Sequence, residues 1–195
     1  MDKPPATCIL SFPAYNPFVP ITIELPELKT QTSFNLARWA QILADPQLAK
    51  LPYRIETDQH GHILMSPPPA PLHGERQAEI VFRLRQLLPD GRTLAECPIS
   101  TAAGVRAADA AWLAPERDEN IPELTLFERS PEICVEIVSP SNSTAEIAEK
   151  RLLYFDAGAA EVWICNPDGS LSFFVGPDER ESFSTLCPAF PKHIP

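Results

Sequence analysis

The stretch Pro131–Pro167, PEICVEIVSPSNSTAEIAEKRLLYFDAGAAEVWICNP, decides how this chain folds. It opens on a strand, because Ile133, Val135, Ile137 and Val138, with Cys134, form a small and β-branched apolar run. One carboxylate, Glu136, stands in the middle of that run. Pro140 ends the strand, and Ser143 with Glu146 three residues later fits a capping box. The helix that follows closes at Gly158, a residue suited to the left-handed position past a helix C-terminus. EVWICNP then reads as a second strand, followed by a DGS turn and the strand LSFFV.

Working outward, VRAADAAWL (Val105–Leu113) and TLAECPIS (Thr93–Ser100) are strand candidates around a turn at Gly104. LHGERQAEIVFRLRQLL (Leu72–Leu88) predicts an amphipathic helix with Ala78, Val81, Phe82, Leu84 and Leu88 on its apolar face. YRIETDQHGHILMSP (Tyr53–Pro67) predicts two strands joined at Gly61. Before it, SFNLARWAQILAD (Ser33–Asp45) has helical spacing at Leu36, Trp39, Ala40 and Leu43. Strands alternating with a few helices predict an α/β (α+β) fold, a mixed central sheet flanked by helices. Residues 1–50 read as an N-terminal arm with one helix packed on the core, and residues 51–195 as the main domain.

At 195 residues the chain suits a single domain with a substantial core. Its net charge of -10 argues against a generally basic nucleic-acid coat, although Arg76, Arg83, Arg85 and Arg92 could line one basic stripe. No apolar run approaches a membrane span, and Pro13 and Pro17 break the only apolar piece near the start, so a cytoplasmic protein without membrane contact is expected. The cysteines Cys8, Cys97, Cys134, Cys165 and Cys187 include no C-x-x-C pair, which removes the zinc-ribbon and thioredoxin-like readings. His60 and His62 are expected at a solvated hairpin tip.

The chemistry lies in the acids. An ionised carboxylate within a buried strand costs on the order of several kcal/mol unless a cation meets it. Asp109 interrupts a second strand of small and apolar residues just as Glu136 interrupts the first. Brought close, the two would repel, and a divalent ion held by both would remove that repulsion. Solvent exposure, or pairing with Arg106, Lys150 or Arg151, are the plainer alternatives. By helical spacing Ile147, Lys150, Tyr154 and Ala157 adjoin one another, with Arg151 on the same side, so periodicity leaves Lys150 and Arg151 undivided.

The residues Glu136, VSPS, Glu146, Lys150, Tyr154, Gly158 and EVWICNP resemble the signature of the Uma family of putative restriction endonucleases, of the PD-(D/E)xK nuclease superfamily. RAADAAWL resembles the family's first acidic motif, and PPAPLHGERQAEIVFRL its helical motif, over a resemblance running from Tyr53 to Val175. Ala108 replaces the proline usual before the first acid, and Asn166 the aspartate usual before Pro167; neither removes a ligand. The resemblance implies a restriction-endonuclease-like core and a metal-dependent DNA endonuclease. It implies Mg²⁺ or Mn²⁺ on Asp109, Glu136 and the main-chain carbonyl of Ile137, and Glu75 as a further acid near the metal. It also implies that the catalytic lysine has moved from the strand to the helix, as Lys150. DNA is then the partner, with a homodimer expected on family grounds alone. Packing alone accounts for Tyr154 and Trp163. The rival expectation is a catalytically inactive restriction-endonuclease-like module that binds DNA or protein.

Overall fold

The computed structural model describes residues 28–117, 119–140 and 142–195. Helix α1 (Leu28–Ala44) leads to a hairpin of β1 (Arg54–Thr57) and β2 (Ile63–Ser66), then to helix α2 (Pro71–Leu87). The long strands β3 (Arg92–Thr101) and β4 (Gly104–Leu113) precede β5 (Ile133–Ile137), helix α3 (Thr144–Asp156), β6 (Glu161–Cys165), β7 (Leu171–Phe174) and the short β8 (Arg180–Glu181). Strands β3 to β8 form one six-stranded sheet in chain order, and β1–β2 stand apart as a two-stranded sheet. The expected mixed sheet is therefore present. Only β5 and β6 run parallel, joined by α3, because a parallel pair needs a crossover and an antiparallel pair needs only a turn.

Strands β4, β5 and β6 are buried along their whole length, which is why they read as continuous apolar runs broken only by acids. Side chains alternate along β5. Ile133, Val135 and Ile137 join Ile80 and Leu84 of α2, with Trp163, Phe173 and Phe190, in one core. Cys134 joins the opposite core beneath α3, with Ile147, Tyr154 and Ala157. Glu136 has the parity of Cys134 and so faces α3 as well. Cys97, Cys134, Cys165 and Cys187 are buried and free; Cys8 lies outside the described residues, as do Pro13, Pro17 and most of the expected N-terminal arm.

Two helices turn differently from the apolar pattern. The inner face of α1 is Gln31, Asn35, Trp39 and Ile42, while Leu43 is exposed. Asn35 Nδ2 donates to Ser100 Oγ at 2.9 Å and to the Thr101 carbonyl at 3.0 Å, so two of the four inner positions are polar and invisible to a hydrophobic template. In α2 the buried residues are Arg76, Ile80 and Leu84, and Phe82 of the expected face is 61% exposed. Arg76 displaces that face because its guanidinium spans the carbonyls of Asn166 (3.1 Å) and Pro195 (3.2 Å).

The ends of α3 follow the sequence. Ser143 Oγ accepts from the Glu146 N–H at 3.1 Å, and Gly158 takes φ +101°. The reciprocal half of the capping box is absent: the Glu146 carboxylate accepts instead from Asn142 Nδ2 at 3.1 Å. Among the described residues, no helix is long and apolar enough to cross a membrane.

One irregularity positions the site. Strand β4 pairs with β5 only from Ala110 to Trp112. Beyond that point the hairpin covers its edge: Thr57 Oγ1 accepts the Val105 N–H, and Glu56 Oε1 accepts the Ala107 N–H, both at 2.9 Å. Gly104 permits this approach, since a Cβ there would stand 2.3 Å from the Thr57 carbonyl. Asp109 sits where β4 parts from β5. Its Oδ2 takes the N–H of Ile137 at 2.6 Å, a donor that a longer ladder would have used.

Candidate active site

The fork opens into a cavity of about 730 Å³ whose lining includes Arg54, Glu56, His73, Asp109, Glu136 and Lys150. Asp109 and Glu136 are 1% and 3% exposed. What meets Glu136 is α3: Tyr154 donates its hydroxyl to Oε1 at 2.6 Å, and Lys150 Nζ stands 3.3 Å from Oε2. Lys150 is closer still to Glu56, at 2.9 Å. Arg151, the other cationic candidate, lies over the Phe174 ring and faces Asp178 at 3.5 Å. Arg106 donates to the Thr57 carbonyl in the hairpin. The choice that periodicity left open falls to Lys150.

Burial pushes the Glu136 carboxyl up to about 7; the Lys150 charge opposes that rise and the Asp109 charge adds to it. Burial works against the Lys150 charge too, but Glu136 and Glu56 outweigh it and hold the ammonium above its ordinary value. These two directions agree if Glu56, the nearer carboxylate, keeps Lys150 charged when Glu136 takes a proton. Between the ordinary 4.5 and about 7, folded Glu136 keeps a proton that the unfolded chain has lost. Its contribution therefore makes folding less favourable as pH rises through that window. Glu136→Gln should flatten the fall in stability across it, measured by urea melts at stepped pH; an unchanged slope would reject the assignment. The raised His73 adds a fall of the same sign, because the stability it gives below its unfolded value of 6.5 is lost as pH rises through its folded value, so that part of the decline stays in the variant.

Asp109 is held from several sides. Arg54 Nη1 meets Oδ1 at 2.6 Å, and His73 Nε2 lies 3.5 Å from the same oxygen. Burial drives its carboxyl upward, but the His73 hydrogen bond, the Arg54 charge and the Ile137 N–H outweigh burial and hold it below the ordinary carboxylate range. Gln77 Nε2 fixes the strand here, donating to the Asp109 carbonyl at 2.7 Å and to Glu96 at 2.8 Å.

The structure thus brings together Asp109, Glu136, Ile137 and Lys150. Glu75 is exposed on α2 and does not line the cavity. Of the four arginines that could line a basic stripe, Arg76 is buried, Arg83 pairs with Glu79 at 2.6 Å, and Arg85 and Arg92 donate to the carbonyls of Gly91 and Glu119. His62 pairs with Asp58 at 2.7 Å on the exposed hairpin turn. Tyr154 packs as expected and also bonds Glu136, a second role that packing alone did not foresee. Arg54, Glu56 and His73 were missed. The available signal was Arg54-Ile55-Glu56, two charges spaced to share one face of a short strand.

The donor set suits a hard divalent ion. Asp109 and Glu136 offer carboxylate oxygens, the ligands Mg²⁺ and Mn²⁺ prefer. Among the described residues no group of three or more His, Cys, Asp and Glu forms a closed cage. An ion held by two carboxylates would keep positions for water and substrate, as Mg²⁺ commonly does.

The family model Uma2, described as putative restriction endonuclease, matches residues 45–182. The crystal structure of a putative nuclease belonging to DUF820 from Anabaena variabilis ATCC 29413 is similar at a TM-score of 0.57 and 20% identity, covering 75% of this chain and 90% of that one. At that identity the likeness concerns the fold. No curated protein matches the sequence.

Proposed function

The chain belongs to the Uma2 family, described as putative restriction endonuclease, and from that membership and its acidic cleft we propose that it is a metal-dependent DNA endonuclease. The observation that carries the reading is the pair of buried acids at the β4–β5 fork, with the Lys150 ammonium 3.3 Å from one of them. Two carboxylates kept in an interior at such cost suit a reaction better than a binding surface.

Asp109 and Glu136, with the main-chain carbonyl of Ile137, would hold Mg²⁺ or Mn²⁺, which supplies Lewis acidity toward water and the scissile phosphate. The remaining work falls to the chain's own side chains. Lys150 places a fixed positive charge beside Glu136, where it orients the attacking water or offsets charge growing on the phosphate. Glu56 steers Lys150 from the hairpin, and Tyr154 fixes the Glu136 carboxyl by its hydroxyl. Glu75, outside the cavity lining, is left out of this ligand set. DNA is the proposed partner, and a homodimer is expected where both strands are cut.

The test is incubation with plasmid and with single-stranded DNA, in Mg²⁺, in Mn²⁺ and in chelator, beside Lys150→Met. Cleavage that requires the ion and falls about 10²- to 10³-fold in the variant is expected. Salt-sensitive DNA binding with no cleavage in either ion would support the inactive module instead.

A further inference from the structure

Arg54 stands outside the main sheet, on β1, yet its guanidinium donates to two acceptors of that sheet and pairs in charge with a third group, without a hydrogen bond from Nε. Nη1 meets Asp109 Oδ1 at 2.6 Å, Nη2 donates to the Ala107 carbonyl, and Nε lies 3.1 Å from Glu96 Oε2. Glu96 is held in an unusual backbone state: among the described residues it alone, apart from glycines, has a positive φ, 50°. A non-glycine residue there is strained and persists where its surroundings over-determine it. Here Gln77 and Arg54 do so.

Asp109 has one oxygen committed to the backbone, since Oδ2 accepts the Ile137 N–H at 2.6 Å. Oδ1 is the oxygen left for an ion; Arg54 is on it at 2.6 Å, with His73 Nε2 farther off at 3.5 Å. An oxygen can accept twice, but two cations on one oxygen repel each other strongly at such separations in a partly buried site. We propose that Arg54 is a resident counter-cation on Asp109, which a divalent ion must displace in order to bind. The inference rests on the metal reading of the site. Glu96, whose side chain is 46% exposed, is the second anchor that keeps the released guanidinium at the cavity rim. From there it faces an incoming phosphate, so that loading of the ion frees a phosphate-binding group. The hairpin thereby couples the two events.

Mn²⁺ titrated calorimetrically into the wild type, Arg54→Gln, Arg54→Lys and Asp109→Asn tests this without reference to cleavage. Arg54→Gln should bind Mn²⁺ at least about tenfold more tightly than the wild type, the scale of one lost charged hydrogen bond. Arg54→Lys, with a point charge in place of the fork, should fall between them. Asp109→Asn should abolish binding. If Asp109→Asn abolishes binding while both Arg54 variants match the wild type or bind more weakly, Arg54 does not compete with the ion, and the metal reading stands. If neither the wild type nor Arg54→Gln binds Mn²⁺, or if Asp109→Asn leaves binding unchanged, the metal reading falls and this proposal with it. Thermal unfolding shows whether Arg54→Gln folds; should it not, Arg54→Lys decides, and wild-type affinity in that variant overturns the proposal.

Discussion

Glu161→Ala is expected to lower the unfolding free energy by about 4 kcal/mol, a large share of the stability of an ordinary domain. Glu161 is 1% exposed, at the start of β6. Five donors converge on its carboxylate. Trp163 Nε1 and Ser184 Oγ reach Oε2 at 2.7 Å; the Thr185 and Leu186 N–H groups reach Oε1 at 2.7 Å, with the Thr185 hydroxyl beside them. These bonds draw residues 184–187 onto the face where Cys187 and Phe190 enter the core. Alanine would strand all five donors, of which the Trp163 N–H is least able to find water. Glu161→Gln should lose less but still substantially, because its amide N–H₂ would point at donors. Urea unfolding of both variants is the check, and a loss under about 1 kcal/mol for alanine would show that the cradle contributes little.

The second large effect concerns the reaction. Asp109→Asn is expected to reduce DNA cleavage by about 10³-fold or more, by removing a charge that the proposed ion requires. The fold should survive, because asparagine keeps an oxygen for the Ile137 N–H and Arg54 keeps Glu96. Asp109→Ala should lose as much activity and, in addition, about 2 kcal/mol of stability, since that buried N–H is left without an acceptor. Single-turnover cleavage beside urea unfolding separates the two. Full cleavage by Asp109→Asn would remove Asp109 from the site.

Much of the frame could be read from apolar runs. Strands β4, β5 and β6 were legible because they are buried on both faces, and a carboxylate within such a run marks itself. The helices were found, with the inward face of α3, but the inward faces of α1 and α2 only in part. Gln31, Asn35 and Arg76 are buried polar residues that reach distant carbonyls, those of Gln59, Thr101 and Asn166, and no local pattern records those partners. The same limit governs the site. Asp109, Glu136 and Lys150 fall within recognisable motifs, whereas Arg54 and Glu56 lie in a four-residue strand whose place beside β4 depends on Thr57 and Gly104. Their hydrogen-bond partners are 51 to 94 residues away.

Lys150 and Tyr154 lie one turn apart on α3 and both grip Glu136, which makes the groups proposed for chemistry also the bolts that seat the helix on the sheet. In a strand-borne arrangement the residue two positions after the acid would carry the charge; in this chain that place is Val138, which packs against the core. An engineer seeking a hardier protein therefore has no free choice at this seam, where every change in fit is also a change in the groups proposed to react. The room for improvement lies elsewhere, at surface-exposed aromatics such as Phe82 and Phe183, which carry none of that double duty.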